Sequence, residues 1–395
     1  MGTGMGTMTT MELFLRLVRN ALWQTEEELP EELSANMSAN ILRGGKEQGV
    51  LGLVIDALGR NKVRMPEEQH LKMMVLLMKV KQSNEEVNEG LLRLKTLFDE
   101  RGIDYMVVKG QAVGTYYPDP TLRHAGDIDY YCDAKNFPKA QDAIREAWGI
   151  DENVDEVERH VHFDYKNVTY EGHFSLVMFY NKRKDRYWQR MIDNLNDNDN
   201  HNLNDNDNHN LNDNHNDNLN KRVRVNGDVE IKTLPPTIHT TFIFIHIFVH
   251  LMEQGVGFRQ FCDLAVMLHA CRDEIDHDRM QEILKTLGME RAYRAIGCIL
   301  TDYLGLPMQD IGCELTDSDR KYTKRIIDIL RYRGNMGQYN LKNGNKGWRR
   351  KIELAGITLS HFAKLWALAP DYSCRWVVYR FKKNILQACG FCRIK

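Results

Sequence analysis

The hydrophobic period of this chain changes twice, and that limits its fold more than any other feature. Up to about residue 102 apolar residues recur at helical spacing, in MELFLRLVRNALW, EELSANMSANIL, KEQGVLGLVIDALGRN and a long run from Pro66 through LKMMVLLMKV to GLLRLKTLFDERG. From Ile103 the pattern shortens. YMVVK is a short β-like run, KGQAVGTYYP a turn into a brief helix ended by Pro118, and DIDYYC a second strand. AKNFPKAQDAIREAWG follows as an amphipathic helix. From Pro235 to the end the helical period returns.

Two further strands are predicted by alternation. In RHVHFDYKN, His160, His162, Asp164 and Lys166 share one face and Val161, Phe163 and Tyr165 the other. In VTYEGHFSLVMFY, Thr169, Glu171, His173 and Ser175 lie opposite Tyr170, Gly172 and Phe174. RVRVNGDVEIKTL carries an Asn-Gly turn between alternating strands and predicts a hairpin. Together these predict an α+β protein: a helical region over 1–100, a mixed-sheet core over 101–234 with one polar side, and a helical domain over 235–395.

The core is interrupted. From 194 to 220 every second residue is Asn, leaving almost no apolar area to offset the entropy of ordering, so 193–220 is predicted to be a disordered surface insert. Its His201, His209 and His215 are read as part of an expanded repeat rather than a metal site.

At 395 residues and 43% hydrophobic the chain can bury a sizeable core, which excludes a disordered protein. The start lacks a basic stretch, a long apolar run and a small-residue cleavage site, and no transmembrane segment of about 18 apolar residues occurs; the expectation is a cytoplasmic protein. Eight scattered cysteines without a framework spacing are read as reduced thiols, Cys389 and Cys392 included. The insert holds seven aspartates and no cation while the whole chain has net charge −2, so the remainder is net positive. Residues 341–395 carry twelve Lys/Arg against two Asp/Glu. That basic tail permits a polyanionic partner, but a solvated helical face is the favoured reading.

The chemistry centres on 123-RHAGDIDYYC-132. On a strand, residues i and i+2 point the same way, so Asp127 and Asp129 present two carboxylates side by side, an arrangement that calls for a cation. Lys109-Gly110 ends the preceding strand, Arg123 lies just upstream, and a third acid is available nearby as Asp164 or Glu171. Such hard oxygen donors suit Mg²⁺.

The run VVKGQAVGTYYPDPTLRHAGDIDYYC resembles the nucleotidyltransferase superfamily typified by DNA polymerase beta and the aminoglycoside nucleotidyltransferases. KG, YYPDPTLR and GDID, with YEGHF and VHLMEQGVGFRQFCDL further on, are more closely similar to a bacterial group of uncharacterised nucleotidyltransferases. The resemblance spans roughly residues 70 to 310. It implies a polymerase-beta-like sheet and transfer of a nucleoside monophosphate from an NTP to an unknown acceptor, on a small molecule or protein. It implies two Mg²⁺ ions held by Asp127, Asp129 and Glu171, the three catalytic acids. Lys109, Gly110, Gln111, Arg123 and Arg259 would contact the nucleotide, and His173, His250 and Asp263 would lie on the substrate side.

The chain departs from the pattern at Gly110-Gln111, where Gly-Ser or Gly-Gly is usual, and at Gly172, where a large apolar residue is usual and whose presence predicts a local irregularity in its strand. His246 and His250, at i and i+4, lack the intervening Glu of a zinc protease helix. Arg259 and Asp263, also four apart, could simply pair along a helix. Two other functions are compatible with the same residues: a catalytically inactive nucleotide-binding regulatory or antitoxin-like module, and a nucleic-acid end-extending enzyme, the latter not favoured.

Overall fold

The computed structural model describes residues 8–388 except 152–153, 156–158, 196–220, 228, 254 and 334–346. The bulk of the insert and the Cys389/Cys392 pair therefore lie outside the described residues.

Four helices open the chain: α1 (Thr10–Trp23), α2 (Ala35–Glu47), α3 (Leu51–Arg60) and α4 (Glu67–Glu100). The hydroxyls of Thr9 and Ser34 cap α1 and α2 by accepting the backbone N–H of Glu12 and Met37. The segment 46–61, predicted as one helix, is split between α2 and α3. Gln48 lies at the break, and its buried side chain donates to the Leu330 carbonyl and accepts from the Phe258 N–H, so tertiary contacts fix the corner.

The middle of the chain supplies β1 (Met106–Val107), α5 (Gln111–Gly114), β2 (Ile128–Tyr131), α6 (Phe137–Trp148), β3 (Val154–Asp155), β4 (His160–Tyr165), β5 (Val168–His173) and α7 (Lys182–Asp193). The strands form one mixed sheet in the order β1-β2-β5-β4-β3. Only β2 and β5 run parallel; the other pairs are antiparallel. β6 (Lys221–Val225) and β7 (Val229–Thr233) form the predicted hairpin, with Asn226 and Gly227 at φ 51° and 78° as its turn requires. The Thr233 hydroxyl ties the hairpin to the main sheet by donating to the Val107 carbonyl.

Three predictions for this region need correction. β5 stops at His173 rather than continuing to Tyr180; residues 175–180 turn along one end of a cavity, and α7 follows. Gly172 causes no irregularity, because β5 keeps its register with both neighbours through that residue. Its missing side chain makes room for the buried Tyr130 ring, whose hydroxyl would lie 2.4 Å from a Cβ placed there. Finally, residues 193–195 are part of the structure: Asp193 ends α7 and accepts a hydrogen bond from the Tyr131 hydroxyl, and Leu195 is buried.

The remaining chain is helical as predicted: α8 (Pro236–Glu253), α9 (Phe258–Ala270), α10 (His277–Leu287), α11 (Glu290–Asp302), α12 (Asp317–Arg333), α13 (Gly347–Leu365) and α14 (Pro370–Ala388). In α8 the apolar residues fall on all sides, and the helix is buried along most of its length. Two apolar clusters divide the interior. One joins α1–α3 to the C-terminal helices; the other sets the second half of α4, through Val87, Leu91, Leu94 and Phe98, against the sheet, α6 and the hairpin. Helices from both ends of the chain thus pack together and bring α8 and α9 against the sheet's polar end. None of the described helices is long and apolar enough to cross a membrane.

Candidate active site

The parallel pairing of β2 with β5 sets Asp129 directly beside Glu171, and Asp127 lies two residues before Asp129, at the entry to β2. Each of these three acids has a carboxylate oxygen within 4.8 Å of the other two. They line a cavity of about 340 Å³, together with Lys109, Gly110, Arg123 and His173 from the sheet side and His246, His250, Arg259 and Asp263 from α8 and α9. Tyr180 also lines it, with Tyr372, Tyr379 and Arg380 of α14.

Lys109 lies at the end of β1, and its Nζ donates to Asp129 Oδ1 at 2.5 Å and to His246 Nε2 at 3.0 Å. Burial alone would lower the Lys109 pKa; the carboxylates of Asp129, Glu171 and Asp127 outweigh it and hold the ammonium well above its usual range. His250 Nε2 lies 2.9 Å from His246 Nε2. Burial and the nearby Lys109 cation push His246 well below its ordinary pKa and His250 to about 4, so both imidazoles are neutral at neutral pH. Neutral His246 can then accept from Lys109.

Burial would raise the Glu171 pKa, but Lys109 and His173 more than compensate and keep it below the usual carboxylate value. Glu171 is therefore ionised. His173 Nε2 contacts Asp129 Oδ1 at 3.1 Å and Glu171 Oε1 at 3.9 Å. Asp164, the other acid that spacing offered, lies on an exposed stretch of β4 and accepts the Thr169 hydroxyl at 2.6 Å. It is not among the cavity-lining residues.

Gly110 has φ +52° and ψ −117°, in a region that side chains disfavour, and a Cβ would lie 3.1 Å from the Asp127 carbonyl. The turn needs glycine there. Gln111 points elsewhere: its amide donates to Asn88 of α4, and it does not line the cavity.

The two arginines differ in kind. Arg123 is buried, and its Nε and Nη2 donate to the two Asp263 carboxylate oxygens at 2.8 Å each, while the Tyr117 hydroxyl donates to the same carboxylate at 2.7 Å. Burial would lower the Arg123 pKa, and Asp263 more than reverses this. Asp263 is thus paired across the fold, not with Arg259 along its own helix. The Arg123 loop is pinned from behind by buried Asn84, which donates to the carbonyls of Arg123 and Thr121. Among the described residues Arg259, by contrast, donates only to the His124 carbonyl at 3.2 Å and has no carboxylate within ion-pair distance. Burial and the Arg123 charge lower its pKa, and its Nε is buried without a hydrogen-bond partner in the described structure.

The structure therefore gathers Asp127, Asp129, Glu171, Lys109, Gly110, His173, His250 and Arg259 around one cavity, commits Arg123 and Asp263 to each other at its edge, and leaves Gln111 outside. Sequence reasoning missed His246 as the partner of Lys109, Asn84 behind Arg123, and the tyrosines that line the cavity. Nothing local marks contacts made across 137 or 39 residues of chain.

Residues 38–305 match the family described as uncharacterised nucleotidyltransferase. The chain belongs to this family. The match begins about thirty residues before the stretch that the motifs suggested, taking in part of α2 and all of α3, and ends after α11, so α12–α14 lie outside it. No curated protein and no solved structure matches the chain. The family is one of nucleotidyl transfer, and the residues named above as lining the cavity lie within the matched span, except those that α14 contributes, Tyr372, Tyr379 and Arg380.

Proposed function

We propose that this nucleotidyltransferase moves a nucleoside monophosphate from an NTP to a hydroxyl-type acceptor on a small molecule or a protein, with Mg²⁺ held by Asp127, Asp129 and Glu171. The observation that carries this reading is the carboxylate triad, set by strand register, with Lys109 paired to Asp129 and Arg259 lining the same cavity. The donor set suits the ion: three hard carboxylate oxygens converge within 4.8 Å of one another at one cavity. Bound there, Mg²⁺ would supply charge neutralisation on the triphosphate and a lower pKa for the acceptor hydroxyl.

The chain's own groups do the rest. Arg259, lacking a carboxylate partner, is the cation best placed to take a phosphate oxygen, and Lys109 can turn from Asp129 toward charge developing on departing pyrophosphate. The Gly110 turn lets the backbone approach the phosphates. Ionised Glu171 can take the acceptor's proton as its oxygen attacks the α-phosphorus. His173 orients Asp129, and the Arg123–Asp263 pair holds the cavity edge rigid.

The direct ion pair of Lys109 with Asp129 favours one competing reading, in which the cavity binds a nucleotide without turnover. Incubation with each α-labelled NTP and Mg²⁺, followed by separation of protein, RNA and small-molecule fractions, tests both. Label in a protein or small-molecule fraction supports transfer; label in RNA assigns end extension; bound but unreacted NTP supports the competing reading.

A further inference from the structure

Beside the carboxylate triad the same strands build a second donor set of different chemistry. The antiparallel register of β4 and β5 places His160 opposite His173, and Glu171 lies two residues before His173 on the same face. His160 Nε2 lies 3.6 Å from Glu171 Oε1, and His173 Nε2 lies 3.9 Å from the same oxygen. One ligand atom from each of the three residues falls within 4.8 Å of the others.

An ion with ligand bonds of about 2.0–2.2 Å in tetrahedral geometry separates its donors by roughly 3.3–3.6 Å. Two of the three separations, at 3.6 and 3.9 Å, are already close to that value, and the third is within 4.8 Å. Their backbones sit on adjacent hydrogen-bonded strands, so no loop must be ordered to bring them together. Two imidazoles and one carboxylate suit Zn²⁺, Co²⁺ and related transition ions, whereas Mg²⁺ prefers an all-oxygen shell.

From this geometry we propose that His160, Glu171 and His173 form a site for a divalent transition-metal ion, distinct in ligand chemistry from the triad and sharing Glu171 with it. His173 Nε2 lies against both Asp129 and Glu171; to ligate an ion through Nε2 the ring would carry its proton on Nδ1 and give up its hydrogen bond to Asp129. Because Glu171 belongs to both sets, a transition ion held by the imidazoles competes with Mg²⁺ for it. Binding itself does not depend on nucleotidyl transfer; only the consequence, loss of turnover on Zn²⁺ loading, rests on the function proposed above.

The test uses the full chain, stripped of metal and titrated with Co²⁺, whose visible d–d absorption reports imidazole and carboxylate ligation. One tight equivalent is expected, displaced by Zn²⁺ and weakened by excess Mg²⁺. His160→Ala and His173→Gln should each weaken Co²⁺ binding at least about tenfold, as loss of even an outer-shell partner commonly does. Changing His201, His209 and His215 of the insert together to Ala should leave it unaltered. Thermal melts of the metal-free variants establish that they fold, and His160→Gln replaces His160→Ala if the latter does not. No Co²⁺ uptake by the wild type, or uptake unchanged in both histidine variants, overturns the site; Co²⁺ binding indifferent to Mg²⁺ overturns the sharing of Glu171.

Discussion

Asp263→Asn and Arg259→Gln should affect the protein in opposite ways, although both residues lie on α9 and face the same cavity. Asp263 accepts three hydrogen bonds, two of them from a guanidinium, and the Arg123 and Asp263 side chains are only 5% and 9% exposed. Removing the carboxylate charge leaves Arg123 buried without its counter-ion. Breaking a buried pair from one side costs about 3–5 kcal/mol; the amide retains one acceptor, so the lower end of that range is expected. Against a total stability of about 5–15 kcal/mol this is a large loss. Arg259 has no carboxylate partner among the described residues, is desolvated and is opposed by Arg123, so Arg259→Gln should cost clearly less than Asp263→Asn, or raise stability. It should instead weaken NTP binding, because the phosphate contact is lost. Urea unfolding followed by circular dichroism gives the first quantity, and calorimetric titration with a non-hydrolysable NTP gives the second. If Asp263→Asn cost under about 1 kcal/mol while Arg259→Gln cost about 3 or more, the division into one structural and one ligand-binding arginine would be wrong.

Two further outcomes are expected. Gly172→Ala should destabilise by about 1–3 kcal/mol, because its Cβ would overlap the buried Tyr130 ring, and Tyr130→Ala in the same chain should recover part of that penalty; additive losses in a double-mutant cycle would count against the contact. His239 is fully buried, with its Nε2 at 2.7 Å from the Val108 carbonyl, and burial lowers its pKa to about 4 from an ordinary value of 6.5. Between those values the unfolded chain binds more protons than the folded one. The His239 contribution is therefore complete above about pH 6.5 and is lost as pH falls toward 4, by up to about 3 kcal/mol. His239→Gln should flatten that part of the stability curve, and an unchanged slope in denaturation at pH 4 to 6.5 would refute the assignment.

Much of the site could be read from the sequence because strand alternation is local. Asp127, Asp129, Glu171 and His173 follow from period 2 and from the resemblance, and the register of β2 with β5 sets Asp129 beside Glu171. The limits of such reading are equally physical. The spacing of Arg259 and Asp263 offered an i,i+4 pair, but a helix neighbour competes with any better-placed partner, and buried Arg123 with its bidentate geometry holds the carboxylate instead. The apolar run after His173 has strand character, yet Leu176 and Phe179 bury in the helical cluster rather than on the sheet. Gly172 looked like a defect because its reason for being glycine, the ring of Tyr130, sits on the neighbouring strand.

The central claim is that the triad at the β2–β5 junction transfers nucleotide. The most direct test is transfer of label from an α-labelled NTP in the presence of Mg²⁺, comparing wild type with Asp129→Asn, Glu171→Gln and Asp164→Asn, each confirmed folded. Wild type and Asp164→Asn should label an acceptor at similar rates, since the Asp164 carboxylate is turned to Thr169 on an exposed stretch of strand. Asp129→Asn should abolish labelling, and Glu171→Gln should remove most of it while still binding NTP. Labelling that survived in both Asp129→Asn and Glu171→Gln, or that failed in Asp164→Asn alone, would contradict the account.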